Sequence, residues 1–221
     1  MKSTDAVIVP IHKEGHLFIA AFFVASLGLF LLWNPAGWVG LVLTAWCVYF
    51  FRNPNRVTPS RPGILVSPAD GTVCSISEAI PPAELGMGDA PRTRITVFLS
   101  VFNVHVNRTP AAGKITELAY VRGQFLDAAA DNASEVNERQ LVRMTTEDGH
   151  DIAFAQVAGL VARRILCDLK EGQSVERGEL FGLIRFGSRT DIYLDPAQTC
   201  LVSIGQTMIG GETVLANSVV K

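Results

Sequence analysis

The sequence predicts a mainly β protein, a flattened β-sandwich or barrel of two similar halves, preceded by an N-terminal α-helical membrane hairpin. Three observations predict it. From Leu17 to Phe51 the 221-residue chain carries no charged side chain. Beyond residue 63, short runs rich in Val, Ile, Thr and Phe alternate with glycine-bearing turns. One phrase, Gly172-Gln173-Ser174-Val175-Glu176-Arg177-Gly178-Glu179, returns as Gly205-Gln206-Thr207-Met208-Ile209-Gly210-Gly211-Glu212.

The charge-free stretch breaks at Asn34-Pro35-Ala36-Gly37 into two apolar arms, Leu17–Trp33 and Trp38–Phe51. As helices they would be roughly 25 and 21 Å long, against ~30 Å of hydrocarbon, so a thinned bilayer or a shallow hairpin both fit. Trp33, Trp38, Trp46 and Tyr49 lie near arm ends, where amphipathic rings favour the interface. Lys2 and Lys13 precede the arms, Arg52, Arg56 and Arg61 follow them, and the connection is uncharged. The positive-inside rule then puts both ends in the cytoplasm. The run is too long for a cleavable signal peptide, is doubled and lacks a small-residue cleavage site. Residues 1–51 thus read as a membrane anchor on the cytoplasmic face of the cell membrane. A buried core hairpin is the alternative.

Residues 52–63, RNPNRVTPSRPG, form a proline-punctuated linker that cannot hold a helix. Residues 64–221 form the β domain, with strands expected at Gly71–Ser77, Thr93–Phe102, Lys114–Val121, Gln140–Thr146, Asp151–Val157 and Glu179–Phe186. Glu147-Asp148-Gly149-His150 reads as a hairpin turn, since Asp-Gly supplies the positive φ such turns need. Leu126–Glu138, polar and alanine-rich, reads as a short helix or a loop. The repeated phrase, with Pro68-Ala69-Asp70-Gly71-Thr72-Val73, resembles the turn grammar of lipoyl- and biotin-carrier barrels, whose halves are related by a pseudo-twofold. Carrier function does not follow, because no lysine occupies a tight hairpin tip.

A formal net charge of -2 excludes a nucleic-acid surface, which needs a basic excess. Cys47, Cys74, Cys167 and Cys200 are far apart, without Cys-x-x-Cys spacing, so neither a zinc site nor a disulfide framework is indicated. His12 and His16 flank the first arm at headgroup level, and His150 sits exposed in the hairpin; none has metal-ligand spacing.

Gly187-Ser188 follows the last expected strand. A Gly-Ser peptide in a strained turn suits an N→O acyl shift, in which the serine oxygen reaches the preceding carbonyl and glycine offers no Cβ to obstruct it. The ester can then eliminate, leaving a dehydroalanine that hydrolyses to a pyruvoyl group and ammonia. Gly-Ser alone is also a common turn. Asp70 before Gly71 is equally readable as a turn residue. His105, between Val104 and Val106, is readable as an exposed side chain.

Over most of residues 52–221 the sequence resembles phosphatidylserine decarboxylases, especially the short bacterial and archaeal type. The resemblance is carried by Ser67-Pro68-Ala69-Asp70-Gly71, by Phe102-Asn103-Val104-His105-Val106-Asn107-Arg108 and by Asn137-Glu138-Arg139. It continues in Gly178-Glu179-Leu180-Phe181-Gly182, Phe186-Gly187-Ser188-Arg189 and Gly211-Glu212-Thr213-Val214-Leu215-Ala216. It implies self-cleavage between Gly187 and Ser188, conversion of Ser188 to a pyruvoyl cofactor, and an Asp70–His105–Ser188 arrangement for processing. His105 would take the serine proton, and Asp70 would orient the imidazole and favour its protonated form. The products would be a large chain, 1–187, and a small chain, 188–221, acting on phosphatidylserine held in the membrane. The pattern departs from the longer relatives at Phe102, where they carry a second histidine, and at Arg189, which could receive a phosphate or carboxylate or sit exposed at a turn. Two rival readings remain: a membrane-anchored, non-enzymatic hybrid-barrel binding module, and pyruvoyl chemistry on a soluble amino acid.

Overall fold

The computed structural model describes residues 9–128, 130, 132–160, 164–185 and 187–218. The chain divides into two compact units, Met1–Asn55 and Arg56–Lys221. Phe186 of the Phe-Gly-Ser-Arg motif and the terminal lysines Lys2 and Lys221 lie outside the described residues.

The first unit is an antiparallel helix pair, α1 (Gly15–Leu32) and α2 (Asn34–Phe50). The break is shorter than the sequence suggested. Only Trp33 leaves the helical region, at φ -162° and ψ 116°. Asn34-Pro35-Ala36-Gly37 forms the first turn of α2, because proline's missing N–H is tolerated there and its fixed φ suits a helix start. Small residues let the helices touch: a Cβ on Gly40 would fall 2.5 Å from Ser26 Oγ, and Ser26 Oγ lies 3.3 Å from Thr44 Oγ1. Helix α1 is long and apolar enough to cross a membrane. His12 is buried within this unit, whereas His16 is exposed.

The second unit is built from strands β1 (Ile64–Val66), β2 (Gly71–Ala79), β3 (Arg92–Leu99), β4 (Val106–Arg108), β5 (Gly113–Val121), β6 (Arg139–Thr146) and β7 (Asp151–Ala158). They are followed by β8 (Arg164–Cys167), β9 (Ser174–Val175), β10 (Leu180–Arg185), β11 (Ser188–Tyr193), β12 (Gln198–Cys200), β13 (Thr207–Met208) and β14 (Val214–Ser218). An eight-stranded curled sheet has the order β13-β2-β3-β11-β7-β6-β5-β9, and two three-stranded sheets run β1-β14-β12 and β4-β10-β8. All pairings between these strands are antiparallel.

The repeated phrase has a matched structure at the two ends of the large sheet. Gly172 N–H donates to Ile115 O and Ile115 N–H to Gln173 O; Gly205 N–H donates to Val73 O and Val73 N–H to Gln206 O. Gln173 Oε1 accepts from Lys170 N–H as Gln206 Oε1 does from Ser203 N–H. Both β2 and β5 carry a register shift two residues past their first glycine-led pair, at Val73/Ser75 and Ile115/Glu117. Gly71 and Gly113 are both pressed against the neighbouring strand, where a Cβ would meet Phe98 O and Thr145 O at 2.2 Å.

Alternation along the large sheet sends Ile95, Val97, Ile152, Phe154 and Ile192 inward, where they meet Leu65, Phe181, Leu215 and Ala216 from the smaller sheets. Phe154 and Phe181 meet edge to face with centroids 5.3 Å apart. One expectation was incomplete: the strand expected to reach Phe102 stops at Leu99 and turns through Ser100–Asn103. The described residues of 126–138 hold one helical turn, α3 (Ala133–Val136), within the range the sequence allowed. Strand β11 escaped detection because Ser188, Arg189, Thr190 and Asp191 are polar yet buried. His150 is half-buried beside Asp195, at 3.4 Å, rather than exposed.

Gly113→Ala is expected to destabilise the second unit by ~1–3 kcal/mol, because its Cβ has only backbone to displace. A denaturant midpoint unchanged from the parent protein would contradict that close approach.

Candidate active site

The chain passes from β10 in one sheet to β11 in another through Gly187, whose φ is +63°. The left-handed region is where glycine is at home and other residues are strained. Its chain neighbours aside, a Cβ on Gly187 would meet nothing nearer than Val101 Cγ1, at 3.7 Å, so backbone conformation is what demands glycine here. A close approach occurs at Gly159, where a Cβ would lie 2.3 Å from Gly187 O and 3.1 Å from Gly187 C.

Ser188 opens β11, between Leu99 of β3 and Ala158 of β7, and is fully buried. Its Oγ has no hydrogen-bond partner. A buried hydroxyl left unpaired costs about 1–3 kcal/mol, so it calls for a reason.

His105 is fully buried, not exposed as its alternation with Val104 and Val106 allowed; Val104 and Val106 are buried too. It lies just before β4, where the chain is enclosed on both faces, so alternation does not separate inside from outside. Asn103 staples the preceding turn by accepting from Ser100 N–H and Ser100 Oγ, each at 2.8 Å. His105 Nδ1 lies 3.0 Å from Asn103 O. A carbonyl oxygen only accepts, so Nδ1 carries the proton and Nε2 presents its lone pair. That Nε2 accepts from Gly187 N–H at 3.3 Å. The structure thus brings His105 to the N–H of Gly187, one peptide bond before the one joining Gly187 and Ser188.

Asp70 sits at the entry to β2. Arg56 Nη2 donates to both its oxygens, at 2.8 and 2.7 Å, and Gly210 N–H donates to Oδ1 at 2.8 Å. Its segment runs beside β4, with Arg108 N–H donating to Pro68 O. Burial and then the neighbouring Arg56 hold the Arg108 guanidinium below its usual pKa, partly offset by Asp70 and Glu212. Arg56, counted in sequence among the cations flanking the apolar arms, is thus the ion-pair partner of Asp70.

Arg189 is neither exposed nor open to an incoming anion. It is buried on the outer face of β11 and donates to Ala128 O and Ala130 O, at 3.2 and 2.9 Å. It also bonds Ser134 Oγ, which itself bonds Asp191, and Arg189 Nε lies 3.4 Å from Asp191 Oδ1. Thr96 Oγ1 adds a third donor to that carboxylate at 2.8 Å. Burial and then Asp191 push the nearby Tyr193 phenol above its ordinary pKa. This network ties the loop before and around α3 to the residue that follows Ser188. Asn137 ties the same loop from its other end, its Nδ2 donating to Leu126 O and Ala158 O.

Sequence reasoning missed Asn107, Gln156 and Thr190, all fully buried near Ser188. The available signal was Gln156, the one polar residue at the inward positions 152, 154, 156 and 158 of an apolar strand. Among the described residues, no group of three His, Cys, Asp or Glu side chains gathers to hold a metal ion.

The family model described as Phosphatidylserine decarboxylase matches residues 43–216. A phosphatidylserine decarboxylase proenzyme of Cereibacter sphaeroides is 57% identical over 210 residues, covering 95% of this chain and 90% of its own. The proenzyme of the same name from Paramagnetospirillum magneticum is 57% identical over 208 residues, covering 94% and 87%. That of Ruegeria pomeroyi is 54% identical over 217 residues, covering 98% and 99%.

Arg189→Met is expected to lower stability by ~3–5 kcal/mol, because it strands a buried Asp191 carboxylate. The double variant Arg189→Met/Asp191→Asn should recover part of that loss in equilibrium unfolding. Equal midpoints for the parent and Arg189→Met would contradict the network.

Proposed function

Because the chain belongs to the phosphatidylserine decarboxylase family, we propose that it converts phosphatidylserine to phosphatidylethanolamine with a pyruvoyl group made from its own Ser188. The observation that carries this reading is His105 Nε2 accepting from the N–H of Gly187, the residue whose carbonyl the cleavage would attack, next to a buried Ser188 hydroxyl without a partner among the described residues.

Maturation begins with Ser188. Its hydroxyl is a weak nucleophile until a base takes the proton, and a neutral imidazole with Nδ1 fixed on Asn103 O is suited to that. The left-handed Gly187 bends the chain so that its carbonyl faces away from regular pairing and rests against Gly159. Asp70 is the third member. Its carboxylate is held by Arg56 and Gly210, while Asn103 O takes the orienting contact with His105 Nδ1 that the sequence assigned to Asp70. Its part in processing would then lie in anchoring the segment beside β4. The residues fit the group they would make: residue 188 is buried, anchored between β3 and β7, and follows the glycine whose N–H meets His105.

Once formed, the pyruvoyl group supplies an electrophilic carbonyl for the substrate amine and an electron sink for the charge left by departing carbon dioxide. His105 holds and returns protons at this carbonyl. Phe102, which replaces the second histidine of longer relatives, lies exposed on the turn before it, leaving His105 or water as the proton source. The cleaved chains, 1–187 and 188–221, stay together because the small chain contributes β11 and β13 to the large sheet and β12 and β14 to a smaller one.

Two finer features belong to the same proposal. The matched bonding of the 172–179 and 205–212 turns supports a barrel of two similar halves, like lipoyl-type hybrid barrels. The apolar α1, with Lys13 before and Arg52 after the helix pair, supports membrane attachment with both ends on the cytoplasmic side.

Denaturing gels and intact mass should reveal two chains divided at 187/188 in active protein. Ser188→Ala should remain one inactive chain, and His105→Ala should stall as the full-length precursor. Gly159→Ala should slow cleavage at least ~10-fold, or about 1.4 kcal/mol in barrier, because its methyl displaces the Gly187 carbonyl. Active protein composed of a single uncut chain would overturn the proposal.

A further inference from the structure

Beneath Ser188, on the same inner face, lies a polar group that an apolar core does not explain. The β11–β7 register places Thr190 opposite Gln156 and Ser188 opposite Ala158. Same-face residues along a strand are about 7 Å apart, so Thr190 is the next side chain inward from Ser188. Gln156 Nε2 donates to Asn107 Oδ1 at 2.9 Å and to Leu166 O at 3.1 Å, which uses both of its N–H groups. Left without partners are Gln156 Oε1, Asn107 Nδ2, Thr190 Oγ1 and Ser188 Oγ. All four residues are at most 1% exposed. Gly182 makes room for this arrangement, since a Cβ there would fall 2.9 Å from Gln156 Nε2. Native interiors do not concentrate an open acceptor, an open amide donor and two open hydroxyls without something to satisfy them.

We propose that Asn107, Gln156 and Thr190 form a buried water-binding site, and that its water converts residue 188 into its ketone. The proposal rests on self-cleavage at Gly187–Ser188. In that sequence Ser188 Oγ bonds to the Gly187 carbonyl carbon, the peptide C–N bond breaks, and the nitrogen gains a proton. Elimination then removes the Cα proton of residue 188 and breaks its Cβ–O bond, releasing Gly187 as a carboxylate. The resulting enamine moves a proton from nitrogen to Cβ, giving an imine with a methyl group. One water adds to the imine carbon, ammonia leaves, and the carbonyl remains. Nothing is oxidised or reduced; one water enters and one ammonia departs. Buried water typically makes about three hydrogen bonds, which an amide N–H, an amide oxygen and a hydroxyl supply here. In so buried a site, holding a water in position is part of the chemistry.

Thr190→Val tests this, because it removes the hydroxyl and keeps the shape. On newly synthesised chains, scission is followed by gel and ketone formation by borohydride quenching and mass analysis of the small chain, which then begins with a lactyl group where the ketone had formed and with alanine where the imine remained. Thr190→Val should cut within about twofold of the parent rate, yet ketone should appear at least ~10-fold later than scission. Thr190→Ser should restore the parent timing, and Thr190→Ala serves the same comparison should the valine variant not fold. Ketone formation that keeps pace with scission in the hydroxyl-free variants, or a serine variant as delayed as the valine one, would overturn the water site. An uncut parent chain would instead defeat the cleavage reading on which it rests.

Discussion

A single left-handed residue, Gly187, lets the chain leave one sheet and enter another, and the site is arranged around that bend. Regular strand geometry would commit the Gly187 N–H and carbonyl to ladder bonds. The bend frees both, turning the N–H onto His105 Nε2 and the carbonyl onto the bare Cα of Gly159. The bend is fixed by its surroundings: β11 is gripped by β3 and β7, β10 by β4 and β8, and Arg189 ties the start of β11 to the loop around α3. The Gly187–Ser188 bond is therefore held still by elements that differ chemically from one another.

The two faces of β11 divide the work. Outward, Arg189 and Asp191 form an ion pair and bond Ser134, Thr96 and two loop carbonyls, a network that leaves only Arg189 Nε without a hydrogen bond among its described atoms and whose role is to hold. Inward, Ser188 and Thr190 keep hydroxyls unpartnered beside Gln156 and Asn107. Stability favours satisfying such groups, and unsatisfied ones collect where function requires a reserve of hydrogen-bonding capacity. The contrast between two sides of one strand separates scaffold from chemistry more clearly than distance from the cleavage point does.

Much of this was legible in the sequence, for identifiable reasons. The β runs and the Asp148-Gly149 turn were readable because local alternation and turn chemistry agree with the final sheet. The echo of Gly172-Gln173 in Gly205-Gln206 was readable because each glutamine caps its own turn through the same backbone bonds. Strand β11 was not, since its polar residues are buried by long-range partners that a local pattern cannot register. The burial of His105 was not readable for the same reason: Val104, His105 and Val106 are all enclosed, so alternation left an exposed side chain open as a reading. The partnership of Asp70 with Arg56, across the boundary of what looked like a linker, required tertiary structure.

The central claim is that residue 188 ends as an electrophilic carbonyl at the head of a separate chain. Mild hydride reduction of the purified protein in the presence of phosphatidylserine, followed by mass analysis of the 188–221 chain, tests it most directly. The account predicts a lipid-amine adduct on residue 188, formed only when substrate and reductant are both present. An unmodified fragment beginning with an ordinary serine, recovered from protein that still releases carbon dioxide from the lipid, would contradict it.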